Sequence, residues 1–128
     1  RALFDGAAAD LAARRAIIDR STGGRLPAAW VAWKAAYSAA HSSAAAFAAY
    51  LPAWVGTDFS DRIDGRHPVL ALVGEHDPVF TPALMAATYA RRYPRTTIEV
   101  LGNAGHYPMT DTPLALAAAI ERFLRAAD

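Results

Sequence analysis

The sequence has 128 residues, a formal net charge of +1 and no cysteine. This length predicts one small domain with a modest core. Charges of both signs are interspersed, and no basic stripe with interleaved aromatic residues indicates nucleic-acid binding. The lack of cysteine excludes disulfides, thiolate metal sites and a cysteine nucleophile within this chain. No apolar run is long enough to cross a bilayer, so we expect neither a nucleic-acid nor a membrane partner.

The sequence begins at Arg1 rather than at a methionine. We therefore expect a processed chain, a truncated chain or one piece of a cleaved protein. No signal peptide is recognisable, and we expect a cytoplasmic location.

Residues 1–56 have the pattern of helices and loops. Apolar spacing predicts a first helix over residues 5–19, which the Ser21-Thr-Gly-Gly24 segment ends. Its predicted face contains Phe4, Ala8, Leu11, Arg15 and Ile18.

Pro27 suits the first turn of a second helix. That helix would present a broad aromatic face formed by Trp30, Trp33, Lys34 and Tyr37. Ser42 or Ser43 can cap a third, short helix, which Pro52 is expected to end.

Residues 57–128 have the pattern strand, helix, strand, helix. The apolar run Val69-Leu-Ala-Leu-Val73 predicts a strand that is buried on both faces. Thr81-Pro82 opens a helix to about Arg92, residues 96–101 form a second strand, and Thr112-Pro113 opens a last helix. This order predicts an α/β fold with a parallel strand pair and a right-handed crossover. Because two parallel strands do not make a stable sheet, we expect another polypeptide segment to complete it.

A carboxylate and a histidine each follow one of these strands. Asp77 lies in Gly74-Glu-His-Asp-Pro78, and His106 lies in Gly102-Asn-Ala-Gly-His106. Because the carboxyl ends of adjacent parallel strands meet at one sheet edge, the two side chains are expected to form a hydrogen bond. The carboxylate would fix the imidazole tautomer, and His106 would act as general base. Gly102 and Gly105 would supply the permissive backbone that a tight turn needs.

Simpler interpretations exist for both residues. Asp77 before a proline could be a turn or capping residue, and a histidine in a loop could be structural.

His76 beside Asp77 could suggest a metal pair, but no third ligand has a suitable spacing, and we predict no metal and no cofactor. The serines show no G-x-S-x-G pattern, and those near residues 38–43 are predicted to cap helices.

The second part of the chain resembles the α/β-hydrolase superfamily. The proline, apolar strand and Gly-Glu-His-Asp-Pro turn are similar to the family's acid turn. Asn103-Ala-Gly-His-Tyr-Pro-Met109 followed by Thr112-Pro113 is similar to its histidine loop and last helix. The resemblance implies that residues 1–56 are a helical cap and that residues 57–128 are the C-terminal strands and helices of the core. It also implies a serine, aspartate or cysteine nucleophile on an elbow after an earlier strand, with an oxyanion hole of backbone N–H groups. The departure from the family pattern is that everything before the cap is absent.

The implied activity is hydrolysis of an ester, thioester, lactone or similar bond in a small apolar substrate. The nucleophile would come from the N-terminal portion of the same hydrolase, present as a separate chain or preceding Arg1. Two alternatives stay open: an epoxide hydrolase or dehalogenase with an aspartate nucleophile, and a non-catalytic binding module of the same fold. The residues that we predict to contact the substrate are Trp30, Trp33, Tyr37, Val79 and Tyr107.

Overall fold

The computed structural model describes residue 4, residues 6–59, residue 62 and residues 65–127. The chain divides into two compact units, Arg1–Asp61 and Arg62–Asp128. No helix within these described residues is long and apolar enough to cross a membrane.

In the described part of the first unit, the helices between residues 6 and 59 are α1 (Leu11–Ser21), α2 (Ala28–Ala40) and α3 (Ala44–Gly56). The predicted start of the first helix is wrong: residues 6–9 form turns, and residue 5 lies outside the described residues. Asp10 caps α1 by accepting a hydrogen bond from the Ala12 N–H (2.7 Å). A carboxylate that binds a free N–H of the first turn favours a helix start at this point.

Helix α3 begins as predicted but does not end at Pro52. Ser43 accepts a hydrogen bond from the Ala46 N–H (3.0 Å), so Ser43 is the cap. Pro52 lies inside the helix, which continues to Gly56. The missing proline N–H leaves the carbonyl of Ala48 without its helical partner. Because Ala48 and Pro52 are both exposed, water can hydrate that carbonyl and the helix is not interrupted.

Arg14, which is only 4 % exposed, joins three segments of the first unit. Its guanidinium donates hydrogen bonds to the carbonyls of Ala7 (2.6 Å) and Ala8 (3.3 Å) and to the hydroxyls of Ser38 (3.0 Å) and Ser42 (2.9 Å). It also lies over the Phe47 ring, 4.6 Å from the centroid. The predicted face of α1 is wrong in part. Ile18 is buried as expected, but Leu11 and Arg15 are exposed and Arg14 is buried instead. A planar group with five donors can satisfy these dispersed oxygens, which an apolar side chain cannot do.

We predict that Arg14→Met lowers the free energy of unfolding of the first unit by about 2–3 kcal/mol, because buried oxygens lose their donors. Arg14→Lys should not restore stability, since an ammonium lacks the planar fork. Hydrogen exchange of the α1 and α2 amides would measure the change. The matched control is the exposed neighbour, and Arg15→Met should change stability by less than about 0.5 kcal/mol. Equal losses in both variants would contradict the assignment.

The second unit alternates strands and helices, as predicted. Its elements are β1 (Val69–Gly74), α4 (Pro82–Ala87), α5 (Tyr89–Arg92), β2 (Thr96–Leu101), α6 (Pro108–Asp111) and α7 (Pro113–Ala127). The two strands pair in parallel, in a register from Val69 with Thr96 to Gly74 with Leu101. The fold is thus α/β in the coarse sense of mixed helices and a parallel strand pair.

The single helix predicted over residues 82–92 was wrong, because Thr88 divides it into α4 and α5. Thr88 has a ψ of −79°, and its hydroxyl donates to the Leu84 carbonyl (2.6 Å). A side-chain hydrogen bond of this kind competes with the helical backbone pattern and favours a bend. The short helix α6 was not predicted.

The sheet packs against α7 on one face. A buried cluster joins the end of β2 to this helix through Leu101, Ala104 and Ala119, with Leu72 and Leu116 beside it. Val73 points to the opposite face, because side chains alternate along a strand, and it is 2 % exposed. The cluster holds the end of β2 and the loop that follows it against the helix.

One edge of β1 has no strand beside it within the described residues. The Val69 N–H donates to the Arg95 carbonyl (3.1 Å) and the Glu75 N–H to the Leu101 carbonyl (3.0 Å). Odd-numbered residues of β1 therefore direct their backbone groups to β2, and Leu70 and Leu72 direct theirs to the open edge. An unpaired strand edge of this kind favours pairing with another strand.

Candidate active site

The acid loop begins where β1 ends, and Asp77 is fixed in it by its backbone neighbours. Its Oδ1 accepts hydrogen bonds from the N–H groups of Val79 (2.8 Å) and Phe80 (2.9 Å). The Asp77 N–H donates to the Gly74 carbonyl (3.1 Å). Asp77 is therefore a turn residue, as the simpler interpretation held, with one carboxylate oxygen used by the turn.

The second oxygen of Asp77 binds His106. Oδ2 lies 2.8 Å from the Nδ1 atom of His106, which confirms the predicted hydrogen bond. The Asp77 side chain is 6 % exposed and the His106 side chain 35 %. Within the described residues Nε2 of His106 forms no hydrogen bond. An Nδ1–H that donates to Asp77 leaves Nε2 as the basic nitrogen, which is the tautomer that a general base requires.

Backbone and side-chain hydrogen bonds join the histidine loop to the acid loop. The His76 N–H donates to the Ala104 carbonyl (2.9 Å), and the Asn103 N–H donates to Oε2 of Glu75 (2.9 Å). The left-handed residue of the turn is Asn103 (φ 59°), and neither Gly102 nor Gly105 has a positive φ, contrary to expectation. Asparagine tolerates this conformation better than most side chains do. The Gly105 N–H donates to Oδ2 of Asp111 (2.7 Å), which fixes the residue before His106.

Gly74 allows the two loops to approach this closely. A Cβ at this position would overlap the carbonyl oxygens of Gly105 and Ala104. Those atoms belong to backbone, which cannot move aside easily. The last residue of β1 must therefore be glycine for the acid and histidine loops to meet.

Competing effects determine the pKa of Asp77. Burial by itself raises the pKa, because it disfavours the charged form. The hydrogen bonds from the Phe80 N–H, His106 and the Val79 N–H outweigh burial together, and the pKa lies below its usual value of 3.8. Asp77 is thus a carboxylate near neutral pH, able to stabilise an imidazolium. Burial also raises the pKa of Tyr107, so its hydroxyl stays protonated.

Aromatic rings surround His106, and an open groove lies beside it. The Phe80 ring stacks on the imidazole, with centroids 5.3 Å apart and planes 18° apart. The Tyr107 ring meets the imidazole edge-on, with centroids 5.5 Å apart. The groove has a volume of about 330 Å³ and runs along β1 to Asp77 and His106. Its other walls are formed by Phe80, Met85, Tyr89, Pro108 and Met109.

The five residues predicted to contact substrate are placed in two different units. Val79 lies exposed on the acid loop, and Tyr107 touches the His106 ring. Trp30, Trp33 and Tyr37 lie on α2 in the first unit, where Val31 and Ala35 form the buried face. Trp33 and Tyr37 are exposed, and their ring centroids are 5.7 Å apart. A role in substrate binding remains a prediction for all five residues.

Sequence patterns did not reveal three residues that support the pair: Glu75, Phe80 and Asp111. Glu75 and Phe80 flank Asp77 at short range, so a search for polar and aromatic neighbours of the acid would have found them as candidates. Asp111 is far from Asp77 along the chain, so a search of this kind would not have found it. Within the described part of the chain, no group of three histidine, aspartate or glutamate side chains could hold a metal ion.

No protein-family model, curated protein or solved structure that was compared with the chain matches it.

We predict that the Asp77 carboxyl titrates below pH 3.8 in the folded protein. Because the folded-state pKa is lowered, the ionised group stabilises the fold above the unfolded-state pKa, and this contribution is lost as the pH falls through the folded-state value. The ¹³C chemical shift of the side-chain carboxyl, followed during acid titration, would measure the midpoint. The stability deficit of Asp77→Asn should shrink over the same acidic range. A midpoint at or above 3.8 would show that burial dominates.

Proposed function

We propose that this chain is the C-terminal part of an α/β-hydrolase and that it supplies the acid, Asp77, and the general base, His106. The substrate would contain an ester, thioester, lactone or similar bond. One observation carries the proposal: the 2.8 Å hydrogen bond between side chains that follow two adjacent parallel strands, in the order acid then histidine. That order along the chain is the one this fold uses after its nucleophile.

The proposed chemistry proceeds through a covalent intermediate. As a nucleophilic hydroxyl attacks the substrate carbonyl carbon, its proton passes to Nε2 of His106. Asp77 stabilises the imidazolium that results. The imidazolium then donates this proton to the leaving group as the bond to the carbonyl carbon breaks. A water molecule, deprotonated by His106, releases the acyl group in the same way.

The open edge of β1 supports the proposal that another segment completes the site. Backbone groups of Leu70 and Leu72 face this edge, and the groove beside it reaches His106. A strand placed there would pair these groups. The segment would come from the N-terminal portion of the same hydrolase, which would also supply the nucleophile and the oxyanion-hole N–H groups.

The walls near the pair favour an apolar substrate. Phe80, Met85 and Met109 provide aromatic and thioether surface beside His106. Groups of this kind bind acyl or aromatic substituents by burial of apolar area rather than by charge.

We predict that His106→Ala removes nearly all turnover of an activated ester, because the general base is lost. Asp77→Asn should lower kcat by about 10⁴-fold, because the amide favours the wrong imidazole tautomer. Steady-state kinetics of the complete protein, meaning this chain with the segment that completes its sheet, would measure both effects.

The matched control is the neighbouring histidine. The His76 ring lies 3.5 Å from the Glu75 carboxylate, and in the described structure it forms no hydrogen bond or ring contact with Asp77 or His106. His76→Ala should therefore leave kcat within about twofold. Substantial turnover by the His106→Ala variant would contradict the proposal that the protein is a hydrolase with His106 as general base. A complete protein that binds an apolar ligand but hydrolyses nothing would identify the binding module instead.

We also predict that the chain alone lacks a cooperative unfolding transition as a monomer, since its described sheet has only two parallel strands and an open edge at β1. Near-UV circular dichroism during denaturant titration would test this. Intact-mass measurement and N-terminal sequencing of the native material should reveal the completing segment, with a nucleophile on a strand-to-helix turn. In the complete protein, the Leu70 and Leu72 amides should become protected from hydrogen exchange. A cooperative monomeric transition of the chain alone would contradict the prediction.

A further inference from the structure

The hydrogen bond to Asp77 fixes only one point of the His106 ring. An imidazole held at Nδ1 can still tilt about that bond, and Nε2 would then move relative to the nucleophile. Since 35 % of the side chain is exposed, packing on the ring is partial. A second restraint on the plane of the ring is therefore needed for efficient proton transfer.

We propose that Phe80 is the positioning residue that holds the His106 imidazole in its plane; this inference rests on the proposed function. The two rings are nearly parallel, 18° apart, with centroids separated by 5.3 Å. The edge-on Tyr107 ring restrains the imidazole from a second direction. Stacked and edge-on contacts of this kind each contribute beyond the area that they bury.

Phe80 touches both members of the pair at once. Its backbone N–H donates to Oδ1 of Asp77 (2.9 Å), while its ring lies against His106. The turn that orients the carboxylate therefore also places the aromatic ring, and the two restraints cannot be adjusted independently. Phe80 as a whole is 38 % exposed and lines the groove that reaches His106.

The stacked ring also suits the charge that develops during the reaction. His106 becomes an imidazolium when it accepts the nucleophile's proton, and the face of an aromatic ring attracts a cation. A leucine of similar volume fills the space but offers no such face. The effect of Phe80 is therefore expected in kcat, where the charged form is reached, more than in KM.

The test compares Phe80→Leu with Phe80→Tyr in the complete protein. Phe80→Leu should lower kcat by about tenfold, the order expected for loss of one cation–π contact. Because leucine keeps this part of the groove wall apolar, KM should change much less than kcat. Phe80→Tyr should retain kcat. In NMR spectra, the low-field Nδ1–H resonance of His106 should broaden in Phe80→Leu through faster exchange with water and stay sharp in Phe80→Tyr. Phe80→Met serves as a second non-aromatic variant if Phe80→Leu does not fold.

The control is Phe123→Leu, the same change at a half-buried position on α7. It should lower stability while it leaves kcat and the Nδ1–H resonance unchanged. The inference is overturned if Phe80→Leu keeps both the wild-type kcat and a sharp resonance, or if Phe80→Tyr lowers kcat as much as Phe80→Leu does. If the wild-type protein hydrolyses no ester, the proposed function fails separately, and the resonance alone decides whether Phe80 positions the ring.

Discussion

The parallel pairing of β1 with β2 is the constraint on which the candidate site depends. The register from Val69–Thr96 to Gly74–Leu101 ends both strands at the same level, so the acid and histidine loops leave the sheet side by side. Glycine at position 74 lets these loops meet, because a Cβ there would overlap the backbone of the histidine loop. The Leu101–Ala119 cluster then holds the histidine loop on α7. A shift of one residue in this register would move Asp77 away from His106. It would also turn every side chain of β1 to the other face of the sheet.

Asp77 combines a structural and a chemical role because a carboxylate has two oxygens. Oδ1 closes the turn with two backbone N–H groups, and Oδ2 binds the imidazole. These bonds together keep the carboxyl ionised despite its burial, so the group that orients His106 also carries the charge that would stabilise an imidazolium. The turn interpretation and the catalytic interpretation of this residue are compatible, since each uses a different atom.

The two units are stabilised by different kinds of interaction. The first unit has small alanine-rich helices and uses the buried Arg14 to connect α1 with Ser38 and Ser42 and with the preceding turn. The second unit has an apolar cluster on one face of its sheet and an open edge at Leu70 and Leu72. Alanine fills little volume, so in the first unit the hydrogen bonds of the buried Arg14 side chain connect segments that a larger apolar core would otherwise hold together. At the open edge of β1 in the described part of the second unit, a single side chain cannot play this role, because unpaired backbone groups need partners along their whole length.

Local sequence patterns by themselves determined the strands, the parallel order and the pair of Asp77 and His106. These features depend on apolar runs, turn residues and chain order, which are visible within a few residues. The caps at Asp10 and Ser43 are local in the same way, because each side chain binds an N–H two or three residues further along the chain. Only the tertiary structure decided which face of α1 is buried, because Arg14 finds its oxygen partners 24 and 28 residues away at Ser38 and Ser42. It also decided that α3 continues through Pro52, since exposure of the freed carbonyl is a property of the folded surface. The stacking of Phe80 on His106 and the bond from Asn103 to Glu75 likewise join residues 26 and 28 positions apart, and such contacts exist only once the strands have paired.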